Sequence, residues 1–228
     1  MIHVHHLEKS RSHRILWLLE LLGVDYEIQV YQRDSKTQQA PDALKKIHPL
    51  GKSPVITDGE LTIAESGAII DYLVHRYGEG RLQPAASDTH EWVDYRYWLH
   101  YGEGSLMPLL VMGLVFSQIP KQSPWIIKPL AKGICSTVRQ RFIQPQINQH
   151  LSVIETHLSK KESFAGHWPS GADIQMSFPL QAVAAMQAPG TQALTKYPHI
   201  AAFVARIEND PAWQRVVARA GPLTMPGG

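Results

Sequence analysis

The 228-residue sequence is poor in the features that mark several large classes of protein. Its single cysteine, Cys135, excludes an intrachain disulfide framework and a CxxC redox pair, so a reduced, cytoplasmic location is the default expectation. Lys and Arg number 22 against 20 Asp and Glu, without a basic block, so we expect no nucleic-acid partner. We also expect no membrane partner, because no apolar run approaches the length of a membrane span and no signal peptide is recognisable.

The histidines near the start of the chain are weak candidates for a metal site. His3 and His5 alternate along the first predicted strand and would share one face of it. A metal ion needs further ligands at a recognisable spacing, and the sequence offers none. We therefore expect no metal, and histidines that are hydrogen-bonded or face solvent.

The most informative stretch is PLGKSPVITDGELTIAESGAII, residues 49–70. Two β-prone runs flank Asp58-Gly59, a dipeptide that favours a tight hairpin. Glu65 and Ser66 then open a segment with apolar residues at helical spacing. The stretch predicts a hairpin that leads directly into the N-terminus of a helix.

Such a helix start has the chemistry of a site for an amino acid. The free N–H groups of the first turn and the helix dipole favour an anion, and the Ser66 hydroxyl can add a donor. Glu65 can hold an ammonium group, while Lys52 and the extended backbone of Ser53 before Pro54 can bind the rest of a peptide. Taken singly, each feature is better explained as an ordinary hairpin, turn or helix cap, whereas all of them in this order favour a binding site.

The order of predicted elements through about residue 77 is β-α-β-α-β-β-α, which is typical of a thioredoxin-like layer of mixed sheet and helices. Residues 78–87 are rich in Gly, Pro and Ala and predict a linker. Beyond them the pattern is helical only, so we predict an α/β domain at 1–80 and an all-α domain at 88–228. Ser170 and Asp173 form the pattern of a capping box, with a role in folding.

The chain resembles the glutathione S-transferase family, in particular its fungal and bacterial members. The family pattern is a GK-x-P hairpin followed by E/Q-S-x-A-I, and the segments SRSHRILWLLELLGVDYE and SGADIQMSFPL extend the resemblance along the chain. One residue departs from the pattern: Ser53 stands where an aliphatic residue commonly precedes the proline. Because that residue acts mainly through its backbone, the departure does not argue against binding.

The resemblance implies a cytoplasmic homodimer that attacks small hydrophobic electrophiles with the thiol of its co-substrate glutathione. It assigns glutathione binding to Lys52, Ser53, Pro54, Glu65 and Ser66. It also implies an electrophile site between the domains, drawing on Ser12, His13, Tyr97, Tyr101 and Met107.

The same resemblance places the catalytic serine in the turn between the first strand and the first helix. Ser10, four residues ahead of Arg14, fits the family spacing better than Ser12 does, and either serine can instead be a helix cap. Arg11 or Arg14 can add positive potential or serve only as an ion-pair partner. A hydroxyl donated to the sulfur would favour the thiolate over the thiol.

Other functions remain open at this point. A glutathione-dependent reductase or peroxidase would be favoured by a cysteine in the catalytic turn, where Ser10 stands, although a serine enzyme can show peroxidase side activity. A non-catalytic glutathione-binding or ligandin-like module is the second alternative, since one fold can carry several functions.

Overall fold

The computed structural model describes residues 1–185 and 193–225. The strands are β1 (Ile2–Leu7), β2 (Tyr26–Tyr31), β3 (Val55–Asp58) and β4 (Leu61–Ala64). The helices are α1 (His13–Leu22), α2 (Asp42–Ile47), α3 (Ser66–Tyr77), α4 (Thr89–Tyr101), α5 (Met107–Gln122), α6 (Lys128–Val138), α7 (Gln144–Leu158), α8 (Gly171–Ala185), α9 (Pro198–Glu208) and α10 (Pro211–Ala220). Five-residue π-helical turns join α4 to α5 and α6 to α7.

The four strands form one mixed sheet in the order β2-β1-β3-β4. β1 pairs in parallel with β2 through the α1 crossover and antiparallel with β3, so Val4 lies between Ile28 and Ile56 at the centre of the sheet. This is the predicted thioredoxin-like arrangement followed by a helical domain, and the prediction is confirmed. The domain limits of residues 80 and 88 stay a prediction; they fall in the segment between α3 and α4.

The predicted hairpin is present. Asp58 pairs with Leu61, so the two-residue turn consists of Gly59 and Glu60. Gly59 has a φ of 58°, in the left-handed region that glycine tolerates without a steric penalty. The Asp58 carboxylate accepts a hydrogen bond of 2.8 Å from the Tyr72 hydroxyl, which ties the hairpin to α3.

The capping box at the start of α8 is also confirmed. Asp173 accepts from the N–H and the hydroxyl of Ser170 at 2.7 and 2.6 Å, and the Asp173 N–H donates to the Ser170 hydroxyl at 3.3 Å. The other carboxylate oxygen of Asp173 accepts from the N–H of Phe164 at 2.8 Å. Burial raises the pKa of Asp173 to about 6, although these hydrogen bonds favour its charged form.

α4, the π-helical turn and α5 form a continuous helical stretch of 34 residues, Thr89–Gln122. By length and composition alone this stretch is apolar enough to cross a membrane, so the expectation that no segment approaches such a length is wrong. A core helix of a globular protein meets the same criterion, and Tyr95, Trp98 and Leu110 on this stretch belong to the hydrophobic core.

The hydrophobic core runs without a break from the sheet into the helical domain. Trp17 on α1 is fully buried, and its ring centroid lies 6.0 Å from those of both Trp168 and Trp213. α1 therefore packs against the second domain as well as against its own sheet. The turn before α1 is held at the junction of the two domains by this packing.

Candidate functional site

A cavity of about 400 Å³ opens beside the turn between β1 and α1. This volume lies within the range of roughly 300–1,000 Å³ that small-molecule sites occupy. Its walls come from both domains: residues of the first are Leu7, Lys9, Ser10, Arg11, Arg33, Gln38, Gln39, Ala40, Lys45, Leu50, Gly51, Lys52 and Ser53, and those of the second are Met107, Leu110, Val111, Leu114, Phe178, Ala182 and Met225. The first set supplies cations and amides, whereas the second is wholly apolar.

The cavity lining is rich in cationic side chains, two of which are paired with carboxylates outside it: Arg11 with Glu103 and Lys45 with Asp42. Its lining residues include Lys9, Arg11, Arg33, Lys45 and Lys52, and none of the described residues lining it is Asp or Glu. Cations gathered around a concave surface focus positive potential into it. The cavity therefore suits a ligand with carboxylates on one side and an apolar group on the other.

Three serine hydroxyls meet at the cavity wall. The Ser10 Oγ lies 2.8 Å from that of Ser12 and donates to that of Ser53 at 3.2 Å. Ser53 donates its own hydrogen to the backbone carbonyl of His5 at 2.9 Å, so it can only accept from Ser10. At 3.2 Å this contact is long for two hydroxyls, and the Ser10 hydrogen can be redirected to another acceptor at little cost.

Ser12 is held from the other side by His6. The His6 Nδ1 lies 2.7 Å from the Ser12 Oγ, and both side chains are buried. Burial, reinforced by the nearby His13, lowers the pKa of His6 to about 4. His6 is therefore a neutral imidazole at physiological pH, a partner for Ser12 that brings no net charge.

Arg14, on the first turn of α1, connects the turn to three other elements. It donates to the backbone carbonyl of Gln175 at 2.7 Å, to the Ser66 hydroxyl at 2.8 Å and to the carboxylate of Glu103. Burial lowers the pKa of the Arg14 guanidinium, and Glu103 opposes that shift. A buried charge is tolerated only with such partners, so Arg14 and Glu103 form a structural ion pair across the domain junction.

The start of α3 contacts this ion pair through the Ser66 hydroxyl. Glu65 is exposed and has a φ of 69°, a left-handed conformation that is uncommon for a residue with a Cβ. Ser66 is buried, and its hydroxyl is already bonded to Arg14. The Ser53–Pro54 peptide bond beside the cavity is cis.

Comparison with known proteins identifies the family. The family model described as "Glutathione S-transferase, N-terminal domain" matches residues 1–75, and that described as "Glutathione S-transferase, C-terminal domain" matches residues 143–211. Glutathione S-transferase 3 of Schizosaccharomyces pombe is 38% identical over 180 residues, which cover 79% of this chain and 73% of the relative. The chain belongs to the glutathione S-transferase family. Its resemblance to that family, noted from the sequence, is thereby confirmed, and it is a transferase.

Solved structures agree with this identification of the transferase. A glutathione S-transferase from Actinobacillus pleuropneumoniae is 34% identical, with a TM-score of 0.79, and covers 100% of this chain and 97% of that one. A glutathione transferase homologue from Lodderomyces elongisporus, solved with two GSH per subunit, is 20% identical with a TM-score of 0.74, covering 97% and 99%. At 20% identity, the similarity to the second structure supports a shared fold and nothing further.

In the structure, the predicted site residues of the transferase fall into two groups. Ser10, Lys52, Ser53 and Met107 line the cavity, with Pro54 next in the chain. Glu65 and Ser66 lie at the start of α3, outside the set of residues that line the cavity, and the Ser66 hydroxyl accepts a hydrogen bond from Arg14. The roles of these residues stay predictions.

The remaining candidates for the electrophile site do not line the cavity. Ser12 is fully buried, and His13 donates from Nε2 to the backbone carbonyl of Gly221 at 3.1 Å. Tyr101 is hydrogen-bonded to His150, and Tyr97 is half exposed with its ring packed 5.3 Å from that of Tyr101. The structure therefore gives these four side chains other contacts.

Sequence reasoning missed two parts of this site. The Ser53 hydroxyl takes part in the serine cluster, although only the backbone of that residue was expected to act. Glu103, the ion-pair partner of Arg14, was not singled out. Its signal was a lone carboxylate between Gly102 and Gly104 in an otherwise apolar and aromatic segment.

Proposed function

We propose that this transferase conjugates the thiolate of glutathione to small hydrophobic electrophiles, with Ser10 as the residue that stabilises the thiolate. The observation that carries the proposal is the position of the Ser10 hydroxyl, on the cavity wall next to both a cation-rich surface and an apolar one. A peptide thiol and a hydrophobic electrophile that occupy those two surfaces would meet near Ser10.

Glutathione carries two carboxylates, and the thiolate adds a third negative charge. We assign its binding to Lys52, to the backbone of Ser53 before Pro54, and to the start of α3. There the N–H groups of the first turn can hold the α-carboxylate, and Glu65 the α-ammonium group. Ser66 supports that end through its hydrogen bond to Arg14, which fixes the position of the helix start.

The chemical task is to make a nucleophile at neutral pH. A thiol with a pKa near 8.5 is only a few per cent thiolate at pH 7. The hydrogen that Ser10 gives to Ser53 in the free protein can be donated to the sulfur instead, which favours the charged form. Lys9 adds positive potential to the same wall of the cavity, where Arg11 is paired with the Glu103 carboxylate at 3.4 Å. The remaining acceleration comes from holding thiolate and electrophile side by side.

The electrophile would lie against the apolar wall formed by Met107, Leu110, Val111, Leu114 and Phe178. This wall has no hydrogen-bonding side chain, so it selects for hydrophobic character rather than for one functional group. A cytoplasmic homodimer and a peroxidase side activity stay predictions drawn from the family resemblance. The single cysteine, Cys135, is buried on α6 and does not line the cavity.

Glutathione titration and turnover of a generic aryl halide test this proposal together. Glu65→Ala should weaken glutathione binding by about 1–3 kcal/mol, or roughly 5- to 150-fold in Kd, the scale of a charge-assisted hydrogen bond. Alanine keeps the Cβ, so the left-handed backbone is strained equally in both proteins. Glu60→Ala, in the nearby hairpin turn, is the matched control and should leave Kd unchanged.

Two results would contradict the proposal in different ways. Equal affinity in wild type and Glu65→Ala, with the fold intact by circular dichroism, would remove Glu65 from the site. Tight glutathione binding without turnover of any electrophile would favour the non-catalytic binding module instead.

A further inference from the structure

The connection between α5 and α6 exposes an unusual concentration of large apolar side chains. We refer to residues 119–134 as the α5–α6 tip. Its exposed apolar side chains, with the exposed fraction of each, are Ile119 (41%), Trp125 (83%), Ile126 (70%), Ile127 (51%), Leu130 (67%) and Ile134 (56%). Single exposed hydrophobic residues need no explanation, but a contiguous group of this kind marks an interaction surface.

The apolar surface continues from the tip along α5. Val111, Val115 and Ile119 recur at intervals of four residues, so they lie on one face of the helix, and each is at least 41% exposed. Val111 also lines the cavity. The α5–α6 tip is thus one end of a longer apolar strip rather than an isolated loop.

The charged residues of this region are all of one sign. Between Glu103 and Glu155 the sequence contains no Asp or Glu, while Lys121, Lys128 and Lys132 lie within the α5–α6 tip. All three lysines are exposed, and none forms a salt bridge with any residue in the part of the chain that the structure describes. The surface is therefore both apolar and uniformly cationic.

An anionic lipid bilayer offers the matching chemistry. An amphipathic helix with lysines on its polar face and Trp, Leu or Ile on the other lies at the boundary between headgroups and acyl chains. Tryptophan favours that boundary, and each lysine near an anionic surface adds attraction. We propose that the α5–α6 tip docks this transferase peripherally on anionic membranes, with Trp125, Ile126 and Ile127 inserted among the headgroups. The proposal replaces the sequence-based expectation of no membrane partner.

A second copy of the chain is a poorer occupant of this surface. In a two-fold contact between tips, Lys121, Lys128 and Lys132 of both copies would face one another without a carboxylate among them. Like charges brought together in this way oppose association. An anionic surface removes that repulsion and accepts the apolar side chains at the same time.

Co-sedimentation of the full chain with vesicles tests the proposal. The vesicles are phosphatidylcholine with and without phosphatidylserine, each at low and high salt. Wild type should sediment with the phosphatidylserine vesicles and be released by salt, because the lysine contribution is electrostatic. Trp125→Ser/Ile126→Ser and Lys128→Glu/Lys132→Glu should each lower vesicle affinity by about tenfold or more.

Lys46→Glu/Lys160→Glu is the matched control, since it makes the same change in net charge at exposed positions outside the tip. It should bind vesicles like wild type. An equal loss in the control would show that overall charge, and not the tip, governs binding. Absence of wild-type binding to phosphatidylserine vesicles would overturn the proposal outright. Loss of oligomers in the tip variants by light scattering, without wild-type vesicle binding, would assign the tip to a contact between copies.

Discussion

The role assigned to Ser10 can be tested through the pKa of the bound glutathione thiol. A hydrogen bond to a charged group contributes about 1.5–3 kcal/mol. In the free protein the Ser10 hydrogen is shared with Ser53 at 3.2 Å, a long contact that we value at no more than about 1 kcal/mol. The net gain from redirecting that hydrogen to the sulfur is therefore about 0.5–2 kcal/mol, which lowers the thiol pKa by about one unit.

Ser10→Ala should raise the pKa of the bound thiol by that amount, back toward the value of about 8.5 for a free thiol. The measurement is thiolate absorbance in the ultraviolet, followed against pH with the enzyme saturated by glutathione. At neutral pH the thiolate fraction should fall about tenfold, and turnover should fall with it. The Kd for glutathione should change little, because Lys52, Ser53 and Glu65 are untouched.

Ser12→Ala is the matched control. Ser12 is fully buried and its hydroxyl contacts that of Ser10 and the ring of His6, so its removal leaves the Ser10 hydrogen in place. Its effect on the thiol pKa should be well below that of Ser10→Ala. The reverse order of effects would transfer the role to Ser12. A bound thiol whose pKa equals that of free glutathione in all three proteins would refute thiolate stabilisation by this turn.

Two further predictions concern stability. Asp173→Ala leaves the N–H groups of Ser170 and Phe164 without acceptors. Urea unfolding should therefore show a free energy of unfolding lower by about 2–4 kcal/mol, with unchanged glutathione affinity in the folded protein. Weaker binding without lower stability would place the capping box in the site instead. His6 has a pKa lowered to about 4 by burial, so its protonation opposes folding and stability falls as the pH drops from about 6.5 toward 4. Asn at position 6 does not titrate, so the free energy of unfolding of His6→Asn should fall by up to about 3 kcal/mol less than that of wild type over this pH interval. Parallel curves of stability against pH would contradict a buried, neutral His6.

The parts of the fold that were predicted correctly carry local signals. Gly59 in the hairpin turn and Gly23 after α1 have positive φ angles of 58° and 69°, which glycine favours, and each stands within a few residues of the pattern it ends. The capping box of Ser170 and Asp173 spans three residues. Such signals can be recognised in the sequence because all the interacting residues lie close together along the chain.

The parts that were missed depend on contacts between distant residues. Arg14 and Glu103 are 89 positions apart, and Ser10 and Ser53 are 43 apart. No spacing rule links such pairs, because only packing of the two domains brings them together.

The Arg14 contacts and the shared core have a consequence for dissecting the protein. If the chain were cut in the linker, the first fragment would expose Trp17 to water and leave the Arg14 charge without Glu103 and without the Gln175 carbonyl. Exposing a buried side chain as large as Trp17 costs about 2–3 kcal/mol, a large part of the stability of a small domain. The isolated first fragment should therefore fail to fold by itself, so binding studies need the whole chain. Because the two architectures share one hydrophobic core, we expect them to unfold as one cooperative unit.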